Sequence, residues 1–208
     1  MIEQHIDKPT HEIQAQEAAR EMAVLPLPLF ILPDGIQRLR IFEPRYLSMV
    51  TEASDRGGFV IARYDSSLAF NVPTWGTRVE IIDFHSGEDG ILVIDVKGLN
   101  LVNLQNMRYR DDRLLLADSH YRPFWSVVAV EPSLSDMGGL LKNLFAQNAA
   151  LANLYPNPQF DRLDWVCARF LEILPLSLNK KEKFIEPSMF APLKVFLHTF
   201  IFGNENIN

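Results

Sequence analysis

The stretch "LPLPLFILPDGIQRLRIFEPRYLSMV", residues 25–50, interleaves charged and apolar side chains too closely for a simple solvated face. Arg40, Glu43 and Arg45 stand among Leu, Ile, Phe, Met and Val. An arginine in such surroundings needs a carboxylate or several carbonyls, because an unpaired buried charge is costly. Glu43 is the nearest acid, and Pro44 fixes the turn so that the arginines can diverge. We predict an architectural role for these four residues, with a solvated charge cluster as the alternative.

The composition narrows the class of protein. The 208 residues are 48% hydrophobic and 22% charged, which is typical of a globular protein, and the formal net charge is −6. Nucleic-acid binders usually carry a basic patch, so this balance argues against a nucleic-acid partner. A single cysteine, Cys167, permits no intrachain disulfide. Residues 1–20 lack the features of a secretory signal, and no apolar run reaches the length of a membrane span. We expect a cytoplasmic protein without membrane contact.

Residues 24–131 have the composition typical of β-strands. Short runs rich in Val, Ile and aromatic residues predict strands at 59–64, 77–85, 91–98 and 125–131. Asp89-Gly90 predicts a tight turn between two of these runs, and a second hairpin is expected to turn at Asp111–Asp112. Strands and helices do not alternate along this part of the sequence, as they would in βαβ units. Closely spaced strands with tight turns predict antiparallel pairing in a compact barrel or sandwich.

Residues 132–208 have helical spacing instead. Three apolar stripes are typical of amphipathic helices and lie at 140–155, 163–174 and 193–201. Either Ser177 or Asn179 would cap a further helix. Residues 1–23 are polar and form an extension that could be helical, with Thr10 as its cap. We therefore predict an α+β protein with three parts: an extension (1–23), a β subdomain (24–131) and a helical subdomain (132–208).

Several catalytic signatures are missing from the sequence. It contains no phosphate-binding G-x-x-x-x-G-K-[ST] loop and no G-x-S-x-G nucleophile elbow. The five histidines are scattered, so no pair on a helix face could hold a metal. Cys167 lies in an apolar stripe, as a buried structural cysteine would. We predict no cofactor, no metal and no catalytic residue.

Residues 25–50 closely resemble the opening of the N-terminal domain of Lon-type ATP-dependent proteases. Three further stretches resemble that domain in the same order: "WGTRVEI" at 75–81, "EDGILVIDVKGLNLVNL" at 88–104 and "LDWVCARFLEILPLSLNKKEKFIE" at 163–186. The resemblance spans about residues 24–186. It departs from the family pattern locally, for example at Asn100, where the family usually has an arginine.

The resemblance implies a fold and a function. The fold is a PUA-like antiparallel β barrel or sandwich followed by a C-terminal helical bundle. The implied protein is a stand-alone bacterial copy of the substrate-recognition domain, without ATPase or peptidase activity, whose partner is an unfolded or otherwise specific polypeptide. The resemblance does not decide between a monomer and a homo-oligomer. Because PUA-like domains elsewhere bind RNA, an RNA-binding module is one alternative, and an enzyme with dispersed site residues is another.

Concave sites form preferentially where two units meet, so we predict that the peptide-binding surface lies at the seam between the β half and the helical half. Aromatic residues dominate binding energy at interfaces. The candidates are Phe42, Tyr46, Tyr64 and Trp75 from the β half, and Phe145 and Tyr155 from the helices. The alternative is that all six pack in the core.

Overall fold

The computed structural model describes residues 19–129 and 135–203. In these residues, six strands and one helix are followed by five helices. The strands are β1 (Arg20–Leu27), β2 (Ile36–Ile41), β3 (Phe59–Arg63), β4 (Trp75–Ser86), β5 (Leu92–Tyr109) and β6 (Leu115–Arg122). The helices are α1 (Pro44–Arg56), α2 (Ser135–Gln147), α3 (Ala149–Leu154), α4 (Leu163–Ile173), α5 (Leu178–Glu182) and α6 (Phe190–Phe202). Two 3-10 turns lie at Ala69–Asn71 and Pro187–Met189.

The sheet closes on itself. Its strand order is β2-β5-β4-β3-β1-β6, and β5 also pairs with β6, so every strand except β2 belongs to a closed barrel. Closure depends on β5, whose 18 residues pair with β2, β4 and β6 along different parts of its length. A closed barrel has no exposed edges, whereas β2 lies outside it as an edge strand.

The predicted antiparallel sheet needs one correction. Strands β1 and β3 run parallel, while the other pairs are antiparallel. Parallel strands need a crossover connection, and helix α1 lies within it. The helix begins at Pro44, whose fixed φ suits a first helical position, and it buries Met49, Val50 and Ala53. The sequence analysis missed this helix because β-like runs surround it.

Strands β1 and β3 are buried on both faces, because alternate residues enter different apolar clusters. On β1, Ala23 and Leu25 pack with the buried face of α1, whereas Met22 and Val24 pack into a second cluster on the other face. A third and larger cluster joins the helices to the barrel. The predicted α+β class is therefore confirmed.

Most predicted strands are confirmed, including both hairpins. The run at 125–131 is not a strand where it is described: residues 123–128 have no regular secondary structure, and Ala129 makes an isolated bridge to Arg162. Instead of pairing with a strand, this segment contacts the helices: the Trp125 indole N–H donates to the Phe184 carbonyl (3.0 Å) and the Val128 N–H donates to Asp164 (2.9 Å), while Val127 faces solvent.

The predicted extension ends earlier than expected. Residues 20–23 belong to β1 and pair with β6, so the helix predicted up to Met22 is wrong over these positions. Pairing with β6 and full burial of Met22 override the partly helical spacing. Thr10 and the other residues up to 18 lie outside the described residues. The division into an extension and two subdomains stays a prediction.

Candidate binding groove at the seam

A buried ion pair fixes the turn between β1 and β2 to the helices. The Glu172 carboxylate on α4 accepts the Leu32 backbone N–H at 2.7 Å and pairs with Arg169 Nε at 2.7 Å. Arg169 also donates to the Pro33 carbonyl at 3.1 Å. Burial raises the pKa of Glu172, and the charge of Arg169 opposes that rise. Because both side chains are almost fully buried, neither can be removed without leaving the other unpaired.

Further polar contacts close the centre of the seam. The Tyr155 hydroxyl accepts the Ile36 backbone N–H at 2.8 Å, and burial raises the pKa of Tyr155 to about 12. On the other side, Glu182 accepts the Trp75 indole N–H and pairs with Arg63 at 2.7 Å. The two halves are therefore held together by specific hydrogen bonds as well as by apolar contact.

The six aromatic candidates separate into two groups. Trp75, Phe145 and Tyr155 are 4–7% exposed and belong to the cluster that joins the halves. The rings of Phe145 and Tyr155 lie 5.3 Å apart, so the centre of the seam is packed.

The other three candidates lie away from that cluster. Phe42 is 66% exposed and Tyr64 is 47% exposed. Tyr46 is half-buried on α1, where the Arg45 guanidinium lies 4.7 Å from its ring centroid. The structure therefore does not bring the six residues together into one lining.

An open groove nevertheless runs along the rim of the seam. Two cavities share the walls formed by Asp34, Arg162 and Trp165. The first has a volume of about 200 Å³ and is also lined by Asn100, Tyr121, Arg122, Phe124, Trp125 and Val127. The second has a volume of about 410 Å³ and is also lined by Ile36, Ile82, Lys97, Tyr155, Pro156 and Asn157. We call these two cavities together the seam groove.

The charges of the seam groove are neutralised. Asp34 lies 3.3 Å from both Arg162 and Lys97, Arg162 pairs with Asp164 at 2.6 Å, and Arg122 pairs with Glu186. The hydrogen bond with Asp164 raises the pKa of Arg162. The Nε of Arg162 is buried, and it has no hydrogen-bond partner among the described residues.

The walls of the first cavity are aromatic. Phe124 and Trp125 are stacked with centroids 4.3 Å apart, and Tyr121 and Trp165 also line the cavity. A ligand entering here meets apolar rings and paired charges. This combination suits a small apolar side chain.

The charged residues of the opening stretch are half-exposed. Arg45 pairs with Glu43 at 2.6 Å, while Arg40 pairs with Asp89 in the turn between β4 and β5. Glu43 therefore forms an ion pair with Arg45 and not with Arg40. Glu43 is also the N-cap residue of α1, but its side chain makes no capping hydrogen bond. The architectural role of these residues and of Pro44 stays a prediction.

Two other features bear on chemistry. Asp83, His85 and Asp95 are the one group of possible metal ligands found among the described residues. Arg38 holds both carboxylate oxygens of Asp95 at 2.7 Å, so the group is arranged as an ion-pair network.

Cys167 is fully buried, which raises the pKa of its thiol to about 12 and opposes formation of a thiolate. Within the described residues, no helix is both long and apolar enough to cross a bilayer.

Two solved structures are similar to this chain over most of their length. A Lon N-terminal domain protein from Xanthomonas campestris has 26% sequence identity and a TM-score of 0.65, with 85% of this chain and 96% of that chain covered. The N-terminal domain of the Mycobacterium avium complex Lon protease has 15% identity and a TM-score of 0.61, with 87% and 97% covered. Comparison with models of protein families and with curated protein sequences gave no match. The predicted resemblance to the Lon N-terminal domain is confirmed.

Proposed function

We propose that this protein is a non-catalytic polypeptide-binding module, which captures exposed apolar segments of unfolded or partner proteins in the seam groove. The groove is the observation that carries the proposal. It offers aromatic walls and neutralised charges, in a chain with the fold of a Lon N-terminal domain. The exposed apolar side chains of an unfolded polypeptide complement these aromatic walls.

The strongly shifted titratable groups at the seam support a structural role over a catalytic one. Glu172 and Tyr155 each accept a hydrogen bond from a backbone N–H, those of Leu32 and Ile36. Cys167 is fully buried in the core. None of these three lies at an open site with a nucleophile beside a base. We also propose that the protein acts in the cytoplasm of a bacterium and lacks ATPase and peptidase activity.

The arginines that would suggest RNA binding are largely matched by acids. Arg108 pairs with Glu21, and Arg110 pairs with Glu52 at 2.8 Å. An RNA-binding surface would need unmatched basic groups and would show a steep salt dependence. The polypeptide proposal predicts a shallow one.

The test is a fluorescence titration with a labelled, permanently unfolded protein, using two matched variants. Val127 lines the first cavity and is 64% exposed, whereas Val195 on α6 is 68% exposed and lines neither cavity of the groove. We expect Val127→Glu to weaken binding about tenfold and Val195→Glu to leave it unchanged, because only the former places a charge against the aromatic walls. Equal affinity of both variants would exclude the groove, and no binding by the wild type would exclude the proposed function.

A further inference from the structure

The interior of the closed barrel changes from apolar to polar at one end. Successive side chains of a strand point to opposite faces, so every second residue of a barrel strand faces the interior. The apolar part of this interior is one buried cluster, which includes Met22, Val24, Val60, Val102 and Ala117. Beyond that cluster lies a small cavity, which we call the barrel mouth. Its polar lining residues are Arg20, Arg78, Asn100, Ser119 and Tyr121.

The strand register agrees with this placement. Arg78 on β4 lies opposite Val60 on β3 and Asn100 on β5. Tyr121 on β6 lies opposite Val102 on β5. Residues directly opposite each other project to the same face of a sheet. Because Val60 and Val102 belong to the interior cluster, the polar side chains opposite them also face the interior.

Two guanidinium groups lie side by side at the barrel mouth. A Cβ atom added to Gly57 would lie 3.0 Å from Nη1 of Arg20 and 3.0 Å from Nη2 of Arg78. Arg78 is held there by its Nε, which donates to the Gly57 carbonyl at 3.0 Å. Arg20 is positioned by β1, where it lies opposite Ser119. Neighbouring like charges repel each other, and an anion between them relieves the repulsion.

The described residues supply no acid to the barrel mouth. None of the residues that line it is an aspartate or a glutamate. Glu21 follows Arg20 in sequence but projects to the opposite face, where it pairs with Arg56 and Arg108. Glu80 lines a neighbouring cavity instead. Within the part of the chain that the structure describes, the charge of Arg20 is therefore matched by no ion pair.

Neutral donors stand beside the two arginines. The Tyr121 hydroxyl has no hydrogen bond to another described residue. The Asn100 amide donates one N–H to the Leu101 carbonyl at 3.0 Å, which leaves its second N–H for a ligand. The barrel mouth has a volume of about 20 Å³, close to the space that one buried water needs. It therefore accepts only a small polar group, while the rest of a ligand lies outside.

We propose that the barrel mouth binds an oxyanion group, a carboxylate or a phosphate, between Arg20 and Arg78. The planar fork of a guanidinium matches the oxygens of both groups, and Asn100 and Tyr121 add neutral donors. This site is additional to the seam groove and does not depend on its function. Because Asn100 and Tyr121 also line the first cavity of the seam groove, an oxyanion bound here lies beside that groove.

The first experiment is an NMR titration of the full ¹⁵N-labelled chain with sodium phosphate and, separately, with sodium acetate, at constant ionic strength. We expect at least one of the two anions to shift the backbone amide signals of Ser119 and Tyr121 saturably. The signal of Val195, on α6, should stay in place. The anion that binds more tightly identifies the class of ligand. No saturable shift with either anion would overturn the proposal.

Two arginine variants separate a specific site from a general effect of charge. Arg113 lies in the turn between β5 and β6, is exposed and forms no ion pair with another described residue. Arg20→Gln and Arg113→Gln therefore remove the same charge from exposed positions. We expect Arg20→Gln to weaken binding of the preferred anion about tenfold and Arg113→Gln to leave it unchanged. Equal dissociation constants for these two variants would overturn the assignment to the barrel mouth.

Tyr121→Phe is a second test that leaves both arginines in place. It removes one neutral donor, so we expect the preferred anion to bind about threefold more weakly. Tyr109→Phe is the control, because the Tyr109 side chain is 53% exposed and does not line the barrel mouth. If neither Arg20→Gln nor Tyr121→Phe weakens binding, the anion binds elsewhere and the proposal is wrong.

Discussion

The Arg169–Glu172 pair on α4 and the Arg45–Glu43 pair before α1 have nearly the same N–O distance, 2.7 and 2.6 Å. Their surroundings differ. The side chains of the first pair are 1% and 4% exposed, and those of the second are 32% and 39% exposed. Solvent screens the second pair, whereas the first has no water to replace a lost partner. The conspicuous charges of the opening stretch are therefore not the ones that hold the two halves together.

The largest effect is expected at the buried pair. Glu172→Ala leaves Arg169 uncompensated and the Leu32 N–H without its acceptor, so we expect a loss of about 3–5 kcal/mol in the free energy of unfolding. Urea unfolding measures it. The exposed Glu88 is the matched control, and Glu88→Ala should change stability by less than about 0.5 kcal/mol. A loss below about 1 kcal/mol for Glu172→Ala would show that the pair does not hold the seam.

A smaller effect is expected at the hydroxyl between the halves. Tyr155→Phe keeps the ring but removes the acceptor of the Ile36 N–H, which should cost about 1–2 kcal/mol in unfolding free energy. Tyr121→Phe is the control, because its hydroxyl has no hydrogen bond to another described residue. Equal urea midpoints for the two variants would argue against a stabilising role of the Tyr155 hydroxyl.

The pair between β2 and β5 lies between the two extremes. Asp95 is buried, and its hydrogen bond from the half-exposed Arg38 lowers the pKa of the carboxyl. A carboxyl with a lowered folded-state pKa stabilises the fold above its unfolded pKa of about 4, and this contribution is lost as pH falls through the folded value. Asp95→Asn should therefore cost about 1 kcal/mol at neutral pH.

The check is urea unfolding of wild type and Asp95→Asn at neutral and acidic pH. The difference between them should shrink as pH falls below about 4, because the wild-type carboxyl then becomes protonated. A difference that grows on acidification would contradict the direction of the pKa shift.

The smallest effect is expected in the opening stretch. The sequence suggested that Glu43 neutralises buried arginines, but its one pair is more than a third exposed on the Glu43 side. Glu43→Ala should cost no more than about 1 kcal/mol in thermal or urea unfolding. A loss as large as that of Glu172→Ala would restore the strong architectural role predicted from the sequence.

The strands and turns could be predicted from the sequence where the residue types within a short stretch determine the structure. Short runs rich in Val, Ile and aromatic residues identified β3 and β4, and the Asp-Gly turn identified the hairpin that joins β4 to β5. Helix α1 and the parallel β1–β3 pair were missed because the crossover depends on packing between residues far apart in sequence. The run at Trp125 misled because it has the composition of a strand, whereas its hydrogen bonds go to distant residues of the helical half that no local pattern shows.

Less of the candidate site could be predicted from the sequence. The seam was predicted as a region, but most aromatic candidates proved to be core residues or to lie elsewhere, since residue type alone does not report exposure. A signal was available on α4, where Arg169 and Glu172 stand three residues apart within an apolar stripe. The role of Arg162 depends on Asp34, 128 positions earlier in the chain, and no local pattern could show that contact.

The central claim is that polypeptide enters the seam groove, and site-specific photocrosslinking tests it most directly. A photoreactive phenylalanine analogue replaces Val127 at the groove or Val195 on α6, and each protein is irradiated with the labelled unfolded protein. We predict crosslinks from position 127 that unlabelled unfolded protein competes away, and background levels from position 195. Equal crosslinking at both positions, or none from position 127 while binding persists, would contradict the claim.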